Sequence, residues 1–144
     1  MSDPKTVLDR LKTLLQTELA DYLGTYTLPD GTTSPAIALS YDPEYGKGFG
    51  KTGLECFVLA SPDVAIRDLL DSSIETFQAL VLLKNFGQGA LPRQAWRVAV
   101  EAVRQLEVEH GAKLGRVNRQ LPTEELGNIE IYRLPVQWEI VQYE

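Results

Sequence analysis

The sequence predicts an α+β fold: a mostly antiparallel β-sheet with two α-helices packed on one face. Three observations carry this. Two segments, one opening the chain and one starting near residue 92, have apolar residues at helical spacing. Two long segments, 74–86 and 129–143, have the two-residue period of strands. Finally, no alternation of strand and crossover helix suggests a parallel sheet. At 144 residues, with neither repeats nor a long linker, the chain reads as one domain, 1–144.

The elements follow in order. Asp3-Pro4 reads as an N-cap followed by proline in the first helical turn. Val7, Leu8, Leu11, Leu14, Leu15, Leu19 and Tyr22 then form one apolar helix face, with Gly24 placed to end it. Pro29-Asp30-Gly31 is a turn. Ala36–Leu39 is a short buried strand, and Leu54–Leu59 follows a glycine-rich stretch as another. Residues 64–71, VAIRDLLD, fit extended chain or one helical turn and are read as extended.

In residues 74–86 Phe77, Ala79, Val81 and Leu83 share one face, while Leu80 and Leu82 lie on the other. A strand apolar on both faces at its centre belongs inside a sheet, or its second face meets another subunit. Pro92 opens the second helix, whose stripe is Trp96, Ala99, Val100, Val103 and Leu106, and Gly111 closes it. A weaker strand is expected over 114–120. In the last strand Tyr132, Leu134, Val136, Trp138 and Ile140 face one way. Pro135 lacks a ladder donor, which predicts an edge position or a bulge.

Composition narrows the function. The net charge of -6 disfavours nonspecific binding to nucleic acid or to an anionic membrane. No apolar run approaches the roughly 18 residues of a membrane span, and MSDPKTVLDR is not a secretory signal. No membrane partner and no sequence-specific nucleic acid are expected. A lone cysteine, Cys56, excludes an internal disulfide and reads as a small core residue. Charge is unevenly placed. Residues 1–83 hold 12 acidic and 6 basic side chains, and residues 84–119 hold 3 acidic and 7 basic. That unevenness fits solvated faces, or a subunit whose acidic side meets the basic side of its own copy.

The stretch YGKGFGKTG, residues 45–53, ends as phosphate-binding loops do. Such a loop needs G-x-x-x-x-G-K-[S/T], so that the backbone amides wrap a phosphate. Counting back from Gly50-Lys51-Thr52 places the first glycine at residue 45, which is Tyr45. The threonine should also open a helix, yet LECFVLASP has strand character. The stretch is therefore read as a glycine-rich loop that touches protein, with Lys47 and Lys51 as its charges and Tyr45 and Phe49 as exposed apolar anchors. His110, before Gly111, suits a helix C-terminus. One His and one Cys do not make a zinc site. Arg93, Arg97 and Arg104 lie near one side of the second helix, as a solvated face or a binding stripe. No catalytic residue, cofactor or metal is expected, and the chain is read as a non-enzyme.

The order of elements resembles the tail-terminator and tail-completion proteins of tailed bacteriophages, including the lambda type. The matching pieces are the opening amphipathic helix, SPAIALSYD as first sheet strand, ETFQALVLLKNF as long strand, PRQAWRVAVEAVRQL as second helix and RLPVQWEIVQYE as closing strand. Residues 42–73 stand as an extra segment relative to compact members. The resemblance implies a virion protein made in the host bacterial cytoplasm and forming a ring, a homo-hexamer, at the head-proximal end of the tail. There it would end tube polymerisation, and its partners would be itself, the tail tube protein and the head-tail connector protein. A neighbouring connector or neck role is an alternative. From a different class, a small acidic inhibitor or immunity-type binding protein also fits the charge.

Overall fold

The computed structural model describes residues 3–45, 49, 53–86, 91–125, 127 and 129–143, with residues 91–94 described by their backbone alone. α1 (Pro4–Glu18) begins where the cap signal places it, with the Asp3 carboxylate accepting from the Thr6 N–H at 2.8 Å. Its end departs from expectation. The helix stops at Glu18, and Leu19 caps it by donating its N–H to Leu15 O. The apolar stripe nonetheless continues through a turn, and Leu19 is fully buried. Gly24 serves the sheet instead: its N–H donates to Leu54 O and its carbonyl accepts from the Ala36 N–H. Sheet pairing at residue 24 overrides the helical period.

The predicted turn at Pro29–Gly31 connects a small antiparallel ribbon, β1 (Thr25–Thr27) and β2 (Thr33–Pro35), which the sequence did not announce. β3 (Ile37–Leu39) pairs with β4 (Leu54–Ala60) in parallel. β5 (Ala65–Asp68) and β6 (Ser72–Asn85) form an antiparallel hairpin, so VAIRDLLD is extended, as read, over Ala65–Asp68, while its last residues make the turn. α2 (Leu91–His110) follows and ends at Gly111, whose φ of 70° places it in the left-handed region. The strand expected over 114–120 is broken into β7 (Lys113–Leu114) and β8 (Asn118–Gln120), and β9 (Glu130–Tyr143) closes the chain.

The main sheet runs β3-β4-β6-β9-β7, with β5 beside the first part of β6 and β8 beside the first part of β9. It is mixed but mostly antiparallel, and the fold is α+β. Its spine is the β6–β9 pair, in continuous register from Ser72 opposite Tyr143 to Asn85 opposite Glu130. Inward-facing Cys56, Val58, Val81, Leu83, Tyr132, Leu134, Val136 and Trp138 meet Val7, Leu11, Leu15, Ala99, Val103 and Leu106 of the helices in one core. Both helices thus cover the same face. Across the helix pair Arg10 donates two bonds to Glu109, each 2.7 Å.

Pro135 does not sit on an edge strand, since β9 lies between β6 and β7. Its carbonyl accepts from the Gly115 N–H at 2.8 Å, so its backbone polar groups face the β7–β8 side. There the neighbouring chain breaks, and the donor that proline lacks has no ladder partner to satisfy. A Cβ on Gly115 would stand 3.0 Å from Pro135 Cγ, which is why glycine occupies that crossing.

Strand alternation puts Phe57, Leu59, Leu80, Leu82, Ile131 and Pro135 on the opposite, outer face. Among the described residues no helix packs there. β6 is therefore an interior strand whose second face is left without a helix.

Candidate functional site

Three surfaces are positioned by this frame. The first is the aromatic patch where the glycine-rich loop meets the outer face. Phe49 stacks on Phe57 at 5.2 Å between centroids and on Tyr26 of β1 at 4.5 Å. Tyr45 meets the Phe57 ring edge-on at 5.7 Å, and the Lys84 ammonium stands 5.4 Å from the Phe57 centroid. Tyr45 and Phe49 are thus half-buried parts of a stack, not exposed anchors. The sequence could not show this, because Phe57 is turned outward only once its strand is placed with Cys56 and Val58 facing the helices. Lys47 and Lys51 lie outside the described residues.

The start of this loop is held firmly. Asp42 accepts from the Leu39 N–H at 2.7 Å and from Lys12 Nζ at 2.8 Å. Burial pushes its carboxyl up, but the Lys12 and Leu39 bonds outweigh that and hold it below the usual carboxylate range. Phe49 N–H donates to Glu55, a buried carboxylate on β4, at 3.2 Å.

The second surface lies on α2. Arg97 is exposed and sits over the Trp96 ring, 5.9 Å from its centroid. Trp96 stacks at 6.3 Å on Tyr132, whose hydroxyl donates to Glu130 at 2.7 Å. Arg119 donates to the same carboxylate, which raises the arginine's pKa. Trp96, Arg97, Arg119 and Tyr132 line a shallow cavity of about 270 Å³. Arg104 stands two turns along α2 and pairs with Glu101 at 2.7 Å. The Arg93 side chain lies outside the described residues. The helix packs on the inner face and the aromatic patch is on the outer face, so Arg97 and Arg104 do not share one site with Tyr45 and Phe49.

The third surface was not anticipated as one. β5 is exposed along its whole length, and with the first residues of β6 and the last of β9 it makes a three-stranded ribbon. Ile66 is 65% exposed, Leu70 in the connecting turn is fully exposed, and Tyr143 is 80% exposed. Val64, Leu69 and Val141 are exposed as well, with Ile66 on the helix side of the ribbon and Val141 and Tyr143 on its outer side. At the ribbon's base the outer face holds an apolar groove of about 510 Å³, lined by Leu59, Ala60, Pro62, Leu80 and Pro135 with Gln78 at its side. One signal was available: VAIRDLLD carries five aliphatic residues without the alternation of a half-buried strand.

Chemically these surfaces suit binding. Cys56 is wholly buried, and burial pushes its thiol far above the range where a thiolate attacks. His110 occupies the last turn of α2, as the sequence places it. Among the described residues no three His, Cys, Asp or Glu side chains converge on a metal position. Comparison with protein-family models and with curated proteins returns no match for this chain.

Proposed function

We propose that this chain is a structural protein of a tailed-bacteriophage virion, a ring-forming terminator that caps the head-proximal end of the tail tube and meets the head connector. Support comes first from the order of elements on which the resemblance rests: amphipathic helix, long strand, second helix and closing strand. The observation that carries the reading is the ribbon. A monomer rarely exposes a contiguous apolar patch of large aliphatic side chains without a partner to cover it. Here Leu69 and Leu70 stand exposed in the turn, with Ile66 beside them on the helix side of the ribbon and Val141 and Tyr143 on its outer side, so the far end of the sheet is apolar on both faces. Six copies closed head to tail would cover unlike surfaces, as a heterologous ring requires. The uneven placement of acidic and basic segments supplies charges of opposite sign for such contacts.

Size-exclusion chromatography with light scattering, alone and with tail tube protein, tests the reading. The expected outcome is a ring or a capped tube. A strict monomer that leaves tubes growing would sink the proposal. The glycine-rich loop has its own arm of the test, because the sequence assigns it to protein contact. The variant Lys47→Glu with Lys51→Glu should weaken capping or ring formation, and unchanged capping returns the loop to mere connection.

A further inference from the structure

The ribbon tip and the outer-face groove match each other in shape class and in charge. The tip is the turn between β5 and β6, closed by the Leu69 N–H donating to Ser72 O at 2.8 Å. It presents Leu70, fully exposed, with Leu69 beside it. The groove is an apolar hollow of about 510 Å³, ample for leucine side chains, between Leu59–Pro62 and the Leu80–Pro135 pair. An exposed aliphatic knob and an apolar hole on one molecule each gain by excluding water from the other.

Charge selects the same pairing. Residues 65–75 carry Asp68, Asp71 and Glu75 against a single basic residue, Arg67. The groove's other rim is Gly115, flanked by Lys113 and Arg116. Both are exposed, and neither has an ion pair among the described residues. An acidic arm approaching a basic rim is steered to it and held in register.

The tip does not reach its own groove. β5 is locked in antiparallel register along β6, with Ala65 opposite Thr76 and Asp68 opposite Ser73, so the arm extends away in the plane of the sheet. From Ser72 to Leu80 is eight residues of strand, about 26 Å at roughly 3.3 Å per residue. The occupant must come from elsewhere.

We infer that the β5–β6 arm of one copy of this chain inserts Leu69 and Leu70 into the outer-face groove of the next copy. The inference rests on the ring reading for its occupant and adds the surfaces that make the contact. Knob and hole are unlike patches set far apart, so the contact is head-to-tail and repeats into a closed ring or an open filament. It also gives the outer face of β6 its cover, through Leu80 at the groove wall.

Site-directed cross-linking tests it on the full chain. Leu70→Cys and Gln78→Cys are made as separate variants, both at exposed positions, while buried Cys56 stays out of reach of the oxidant. Mixed and mildly oxidised, they should give a covalent dimer containing one of each. The double variant should give a ladder of multimers. In light scattering, Leu70→Asp should weaken self-association at least tenfold while its circular dichroism and melting match the parent. An oligomer that shows no mixed cross-link and ignores Leu70→Asp overturns the docking and leaves the ring reading standing. A chain that stays monomeric at hundreds of micromolar overturns the docking too, and tube capping then decides the ring reading separately.

Discussion

At the scale of single residues, Glu109 reports most on folding. Two hydrogen bonds from Arg10 hold its carboxyl well below the ordinary value of 4.5, at about 2. A carboxyl depressed on folding stabilises the native state above its unfolded pKa and loses that contribution as pH falls towards the folded one. Thermal melting followed from pH 7 to pH 2 should therefore show a loss of stability between about pH 4.5 and about pH 2. Glu109→Gln should flatten that part of the profile, and an unchanged profile would contradict the assignment. The pairing was invisible in the sequence, because the partners lie 99 residues apart and meet only when the helices pack side by side. Cys56 was legible, since its strand neighbours leave it no other place than the core. The tryptophans differ from each other. Trp138 is 2% exposed, stacked on Phe77 at 5.8 Å, and its buried indole N–H has no hydrogen-bond partner among the described residues. Trp138→Ala should cost about 3–5 kcal/mol in urea unfolding. Trp96 is only half-buried, and Trp96→Ala should cost clearly less.

At the scale of elements, long periodic segments were readable and short ones were not. α2, β6 and β9 appear over the residues that their apolar spacing marks, since each has enough turns or alternations to outweigh local exceptions. The Gly111 stop was equally clear. Its φ of 70° is a conformation that L-residues avoid, and the Gly111 N–H donates to Glu107 O at 2.8 Å. Gly111→Ala should lower stability by about 1 kcal/mol in chemical denaturation, through the left-handed backbone alone, because open space surrounds the position. The end of α1 was misplaced for a different reason. Leu19 and Tyr22 continue the helical spacing, but Gly24 is held by Leu54 and Ala36 across the sheet. The break between β7 and β8 likewise follows from a tertiary contact, Gly115 against Pro135.

At the scale of the whole molecule, the helices claim one sheet face and leave the other with an aromatic patch, an apolar groove and a projecting arm. The cross-linking and capping experiments belong here, because they ask whether those features close on other copies and on a tube. Segregated charge was already legible along the chain. Its use was not, since only the placement of the acidic β5–β6 arm far from the basic Lys113–Arg116 rim turns a compositional bias into complementary surfaces.

By itself the sequence determined the fold class, the two helix starts, the two long strands and the character of the core. All of these depend on residue spacing within one segment. Only the tertiary structure decided which face of each strand meets the helices, and with it the fate of Tyr45, Phe49 and Phe57 in one stack and the isolation of Arg97 and Arg104 from it. It also decided that VAIRDLLD projects as an arm. Exposure is a property of what lies opposite a residue, and what lies opposite is set by register across the sheet.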